Sequence, residues 1–248
     1  MNELDHFAKV SATDRRMNNT LIDNTIVKKS PLIVEIMGPA GAGKTTLLRA
    51  LSQCHKNIQP ASHPSKISQF PYFISNTFTL LPTYLRHYRH SRWFNRREIR
   101  SMAYLKAGLH VVEQQALHDD MVIMLDHGPI YRLAFLRALG PEITLSQRYE
   151  RWWTSLLEQW IAAVDIVIWL DAPDAILLER IRTRASKHTI KEKDEQEAYE
   201  FLTHYRTFLA TIIAESLTNH QVQLLHFNTD QESVEHMTEK VLATFDAV

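Results

Sequence analysis

Cysteine is nearly missing from this chain: Cys54 is the single one in 248 residues. One thiol excludes an intrachain disulfide and a cysteine-rich zinc site. We expect it to pack near the end of a helix. Excess charge is missing too, since 28 basic residues balance 28 acidic ones and the pI is near 7.3. Nothing global therefore favours nucleic acid or a membrane surface, and any such case has to come from a local patch. No apolar run reaches the roughly 20 residues that a bilayer-crossing helix needs. The first residues lack the apolar core of a signal peptide, and a reducing cytoplasm is the expected location. No internal repeat or low-complexity tract is present. Glycine is scarce at six residues, and three of them fall between positions 38 and 43.

That cluster organises the chain. Gly38-Pro39-Ala40-Gly41-Ala42-Gly43-Lys44-Thr45-Thr46 fits the Walker A pattern G-x-x-x-x-G-K-[ST] at every fixed position. Before it runs Leu32-Ile33-Val34-Glu35-Ile36-Met37, which reads as a buried parallel strand. After it, Leu47, Leu48 and Leu51 keep a helical apolar face. Strand, glycine loop and helix make a P-loop unit. Glycines let the backbone wrap closely around phosphate oxygens, while loop N–H groups and the helix N-terminus point positive charge at the anion. Lys44 adds a full charge for β- and γ-phosphates, and the Thr45 hydroxyl suits Mg²⁺. ATP and Mg²⁺ are the expected ligands, with residues 38–46 as the phosphate cradle.

Residues 1–30 are polar and patternless, and we expect a flexible extension there. Prolines 60, 64 and 71 mark residues 57–71 as a loop, with a weak strand signal at Asn57-Ile58-Gln59. The apolar stretch from Tyr72 to Tyr88 reads as a helix broken at Pro82. Residues 97–118, 130–139, 148–163, 174–184, 195–217 and 231–245 read as helices, and residues 121–126, 165–171 and 222–227 as buried strands. Alternation of this kind predicts an α/β protein: three layers, α/β/α, around a mostly parallel sheet.

Two strands end in a carboxylate, Asp126 and Asp171. A Mg²⁺–nucleotide site needs one beside the phosphate-loop strand. Asp126 precedes His127-Gly128 and a cleft, so we assign it the metal and acceptor side. Asp171 precedes Ala172-Pro173-Asp174 and suits a cap or structural bond. Between Arg86 and Arg100 lie six arginines and a single acid, Glu98. Three readings stand: a solvated helix end paired with acids, an anion site for an acceptor, or a nucleic-acid contact with Trp93 and Phe94 stacking. The neutral overall charge disfavours the last. Arg180, Arg182, Arg184, Lys187, Lys191 and Lys193 straddle a helix end and a loop. They suit the helix dipole, or a lid at residues 182–194 that brings Arg182 and Arg184 to a phosphoryl group. The loop positions 39, 40 and 42 hold no cation of their own.

From Leu32 to Phe245 the chain resembles the thymidylate kinase-like branch of P-loop nucleoside and nucleotide kinases. GPAGAGKTT resembles that family's phosphate loop. MVIMLDHGPIYRLAF resembles its strand ending in Asp-Arg, here Asp126-His127. IVIWLDAPDAILLERIRTR resembles its strand, Asp-x-Pro and lid helix. QLLHFNTDQESVEHM resembles its last strand and turn, which implies that Asn228 lies beside the nucleotide base. The resemblance implies one kinase-like domain over residues 31–248, with an inserted helical acceptor region around 72–118. It also implies phosphoryl transfer from Mg²⁺–ATP to a small-molecule acceptor. Lys44 and Asp126 would be catalytic, with Arg182 and Arg184 from the lid. The family's Glu-Pro element after the second strand is not evident. Rival readings keep the scaffold: a kinase of a sugar, alcohol or antibiotic, or a non-catalytic ATP-binding switch. No nucleic-acid or membrane partner is expected, and a homodimer is left open.

Overall fold

Leu32–Met37 forms strand β1, and all six residues are buried. A strand buried on both faces belongs at the centre of a parallel sheet, and that is where it lies. β1 pairs in parallel with β3 (Val122–Asp126) on one side and β4 (Ile166–Asp171) on the other. Outside these stand β2 (Ile58–Pro60) and β5 (Gln223–Asn228), so the order is β2-β3-β1-β4-β5 with every pairing parallel. The computed structural model describes residues 31–87, 91–117, 121–184, 191, 194–219 and 222–247. The expected extension at 1–30 and residues 185–190 and 192–193 of the expected lid at 182–194 lie outside the described residues.

Helices cover both faces of the sheet, because successive side chains of a strand point to opposite faces. Ile33, Met37, Ile123, Leu125 and Val167 face α3 (Arg96–Gln115), α4 (Pro129–Leu139) and α5 (Gln147–Ala163). Val34, Ile36, Met124, Ile168 and Leu170 face α1 (Lys44–Cys54), α6 (Asp174–Thr183) and α8 (Val234–Ala247). The long helix α7 (Glu195–Asn219) serves both cores, Leu202 on one and Leu209 on the other. This is the three-layer α/β/α fold of P-loop NTPases. Among the described residues no helix is long and apolar enough to cross a membrane.

Helix α5 ties the first core together through its tryptophans. The indole N–H of Trp160 donates to the Leu105 carbonyl of α3 at 2.9 Å, and that of Trp153 to the Leu133 carbonyl of α4 at 3.1 Å. Trp152 donates to Asn76 Oδ1 at 3.1 Å. Each ring buries a large apolar area while its one polar atom stays satisfied.

Two expectations need correction. Helix α2 runs unbroken over Lys66–His87 with Pro71 and Pro82 inside it, so the loop ends earlier and the break at Pro82 does not occur. Both prolines are exposed, and the turns that lose a hydrogen bond include Ile67, 86% exposed, and Phe78, 73% exposed. Carbonyls on a wet face can turn to solvent, which lowers the cost of an interior proline. Cys54 is exposed where α1 ends and not packed. The weak strand signal near Ile58 does correspond to β2.

Part of the arginine cluster is structural. Arg92 grips Glu98 with two nitrogens at 2.8 and 2.7 Å and also donates to the Leu139 carbonyl at 3.2 Å. Glu98 is only 1% exposed and closes a capping box with Asn95 at the start of α3. Arg92→Ala leaves that carboxylate without its cation. Half of Arg92 faces solvent, which weakens the pair, so we expect a loss of about 2 kcal/mol. Urea unfolding measures it, and a loss below about 0.5 kcal/mol would assign the pair to surface decoration.

Candidate functional site

The loop after β1 folds as its glycines require. Gly38, Gly41 and Gly43 all have positive φ, at 144°, 84° and 86°. A side chain at Gly38 would also meet the Leu170 carbonyl oxygen at 2.1 Å, so the loop starts hard against the end of β4. Helix α1 begins at Lys44 with Gly43 as its N-cap and no side-chain cap. The N–H groups of Lys44 and Thr45 thus stay available to an anion, while that of Thr46 donates to the Gly43 carbonyl at 2.9 Å. Thr45 and Thr46 are exposed.

Lys44 is only 6% exposed, and its ammonium donates to the Gly38 and Pro39 carbonyls, both at 2.8 Å. Burial pulls its pKa from 10.5 down to about 8, against the pull of Asp126 and with the repulsion of Arg184. The ammonium therefore keeps its charge near neutral pH.

Asp126 ends β3 beside Ile36 of β1. Its Oδ1 is buried and has no hydrogen-bond partner among the described residues. An orphan carboxylate oxygen next to a phosphate loop suits a hard cation, and the Thr45 hydroxyl would offer a second oxygen of the same kind. Among the described residues no cluster of three His, Cys, Asp or Glu side chains forms a metal cage. These two oxygens thus fit Mg²⁺ held jointly with phosphates rather than by protein alone. Asp171, at the end of β4, has different surroundings. It accepts from Arg206 Nε at 2.7 and 3.0 Å and from the Ala172 N–H at 2.8 Å. Arg206 also bonds Asp174 and the Ala172 carbonyl, which locks α7 to the start of α6.

Between β3 and α4 stands His127, at φ 51°, a left-handed conformation that is uncommon for a residue with a side chain. Its ring meets Tyr131 edge-on, with centroids 4.5 Å apart. Burial first, then Lys44, lowers its pKa to about 4 against the pull of Asp126, and Arg132 and Arg97 push it the same way. The imidazole is neutral near pH 7, so it supplies no cation where the resembled family has arginine.

Arg132 and Arg97 bring positive charge instead. Arg132 sits over the Tyr104 ring, 4.0 Å from the centroid, and its Nε is buried without an acceptor among the described residues. Arg97 sits over Phe135 at 4.4 Å, and its charge opposes the rise that burial gives the Tyr131 phenol pKa. Neither forms an ion pair among the described residues. On the other side, Tyr205 of α7 packs near Tyr131 and reaches the Gly38 carbonyl at 3.5 Å.

Under this group lies Glu35, fully buried on β1. Its carboxylate accepts from the Ile130 and Tyr131 N–H groups at 3.0 and 2.9 Å. Burial raises its pKa from 4.5 to about 7, while those two bonds and Arg132 hold it down.

The expected lid residues separate. Arg184 acts on Lys44, whereas the charge of Arg182 is felt at Tyr199 on α7. Arg180 does something the sequence did not suggest. It donates to the Thr229 hydroxyl at 2.9 Å and the Thr229 carbonyl at 3.0 Å, and it approaches the Gly41 carbonyl at 3.4 Å. It thus ties α6 to the phosphate loop and to the turn after β5. Asn228 shapes that turn by accepting from the Asp230 N–H at 3.1 Å. Glu35, Arg132 and Arg180 escaped the sequence reading. The available signal was an acid inside an apolar strand, and one arginine in an otherwise apolar first half of α4.

No protein-family model and no curated protein sequence matches the chain. Solved structures do. The deoxyadenosine kinase from M. mycoides with bound dCTP matches with a TM-score of 0.51 at 15% identity, over 88% of this chain and 100% of that one. The same enzyme with products dCMP and a flexible dCDP gives 0.53 at 15% identity over the same shares. With bound dATP it gives 0.52 at 16% identity, over 87% of this chain and 100% of that one. At such identity the likeness is one of fold: this is a P-loop α/β architecture shared with a nucleoside kinase.

Glu35 gives the site a pH signature. The folded chain holds this proton to a higher pH than the unfolded chain, so its contribution is full below about 4.5 and is lost as pH rises through about 7. Relative to Glu35→Gln, native stability should fall by about 2 to 3 kcal/mol between pH 5 and pH 8. Urea unfolding of both proteins at the two pH values checks this. A gap between them that does not move with pH would contradict it.

Proposed function

We propose that this chain is a kinase that transfers a phosphoryl group from Mg²⁺–ATP to a small-molecule acceptor, a nucleoside or nucleotide, in the manner of the thymidylate kinase-like branch. One observation carries the reading. Asp126 ends β3 beside Ile36 of the phosphate-loop strand, Lys44 starts the helix after that loop, and the charges of both, with those of Arg97 of α3 and Arg132 of α4, bear on the ring of His127. A phosphate-loop cation, a strand-end carboxylate and two arginines with no ion pair among the described residues thus share one neighbourhood. Phosphoryl transfer asks for that set, because its chemistry is positioning and charge stabilisation.

Residues 38–46 would cradle the phosphates of ATP, with Lys44 neutralising β- and γ-oxygens. Thr45 and Asp126 would hold Mg²⁺, which when bound offsets phosphate charge. Arg184 would add a cation for the transferring group. The turn at Asn228 and Thr229, tied to the loop through Arg180, would border the base. Arg97 and Tyr104 bring α3 to this site, which supports reading the 72–118 region as the acceptor side. Two arginines that repel each other favour an acceptor bearing an anionic group. A cytoplasmic location agrees with an ATP-dependent reaction.

An ADP-release assay across nucleosides, nucleotides, sugars and simple alcohols tests the reading. We expect stimulation by a nucleoside or nucleotide, lowered about a hundredfold or more in Lys44→Ala and Asp126→Asn. Arg184→Ala should lose about a hundredfold in kcat and Arg182→Ala less than tenfold. Stimulation by sugars or alcohols alone would overturn the acceptor class. Nucleotide binding with no stimulation by any acceptor would overturn the enzyme.

A further inference from the structure

An acid at the middle of a fully buried strand is costly, and a valine there would serve β1 better. Helix α4 shows what Glu35 does in exchange. Its N-cap is Gly128, which offers no side-chain cap, and Pro129 at its first position has no N–H to satisfy. The next two N–H groups, of Ile130 and Tyr131, are the ones that Glu35 accepts, one on each carboxylate oxygen. The cap of α4 thus comes from a strand 95 residues earlier in the chain.

The glycine at 128 is part of the same arrangement. Its φ of −70° makes no special demand on the backbone. A Cβ there, however, would stand 2.7 Å from the Glu35 carboxyl carbon and 2.9 Å from the Leu125 Cβ. A local cap by Ser or Asp at 128 is therefore sterically closed while Glu35 is in place. Glu35 lies three residues before Gly38, on the strand that launches the phosphate loop. The helix it caps carries Tyr131 and Arg132 and directly follows His127.

We infer that Glu35 is a positioning residue: by capping α4 from the phosphate-loop strand, it sets where Tyr131 and Arg132 stand relative to that loop. The inference rests on the kinase reading above. A cap within α4 itself would hold the helix together but would leave its distance from the phosphate loop to general packing. A cap from β1 fixes both at once. Acceptor binding should depend on it, and ATP binding should not, because the Glu35 carboxyl bonds helix α4 and none of the loop glycines, Lys44 or Thr45.

The experiment compares the native protein with Glu35→Gln and Gly128→Ala. Gln keeps the volume but can accept only one of the two N–H bonds, and Gly128→Ala pushes on the carboxyl from the helix side. The acceptor is whichever of the four common deoxynucleosides or their 5′-monophosphates the native protein phosphorylates fastest. KM for that acceptor should rise about tenfold or more in both variants while KM for ATP stays within twofold. Val222→Ala, a destabilised control at the amino end of β5, away from the strand ends that carry the site, should leave both KM values unchanged. A purely structural Glu35 would lower kcat through a smaller active fraction with both KM values intact, and that result overturns the inference alone. A native protein that transfers phosphate to none of the eight compounds, nor to their ribose counterparts, overturns the nucleoside or nucleotide acceptor class and the inference with it.

Discussion

Everything in this site depends on ionisable groups drawn out of water at the carboxyl end of β1. Glu35 and Lys44 are both buried, nine residues apart, on either side of the glycine loop. Asp126, His127 and Arg132 lie on the adjoining strand end and helix. Charges placed this way are expensive one at a time. They persist because each is partly answered: Lys44 by two loop carbonyls and the field of Asp126, Glu35 by two helix N–H groups and the field of Arg132. The answers are incomplete, because the buried Asp126 Oδ1 and Arg132 Nε have no hydrogen-bond partners among the described residues. Orphaned polar atoms at a strand end call for an explanation, and a metal-bound polyphosphate with an anionic acceptor provides one.

The fold supplies the geometry. Parallel strands end at a common edge, and the crevice outside that edge is where doubly wound sheets bind ligands. Here β1 lies between β3 and β4, so the phosphate loop emerges between two strand-end aspartates. They have separate environments. Asp171 is held by Arg206 and keeps α6 and α7 together, while Asp126 faces the loop with an oxygen to spare. Helices α3 and α4 then close one side of the crevice with Arg97, Tyr104, Tyr131 and Arg132.

How much of this the sequence shows depends on distance along the chain. The phosphate loop is legible because its rule is local: glycines for positive φ, a lysine at the helix start. Strand ends and the parallel sheet follow from apolar runs alternating with helical patterns. Pro71 and Pro82 mislead because the local rule counts the lost hydrogen bond and not the wet face on which it is lost. Glu35 and Arg180 are illegible for the opposite reason. Their partners lie 95 and 49 residues away, and no short motif joins them. The aspartate before His127 is readable, yet the neutrality of the imidazole is not, since it comes from burial beside Lys44 and two arginines. Arg92 shows the same limit within a charge cluster: its role is fixed by one buried acid and one carbonyl across the fold.

The central claim is that these groups are completed by ATP on one side and an acceptor on the other. Its most direct test follows the γ-phosphate itself. The protein is incubated with Mg²⁺, ATP labelled at the γ-phosphorus, and each deoxynucleoside and deoxynucleoside monophosphate in turn, and the labelled products are separated. The account predicts label on a newly phosphorylated nucleoside or nucleotide, dependent on Mg²⁺ and absent with Lys44→Ala. Label that stays in ATP, or appears only as orthophosphate with every acceptor, would contradict it.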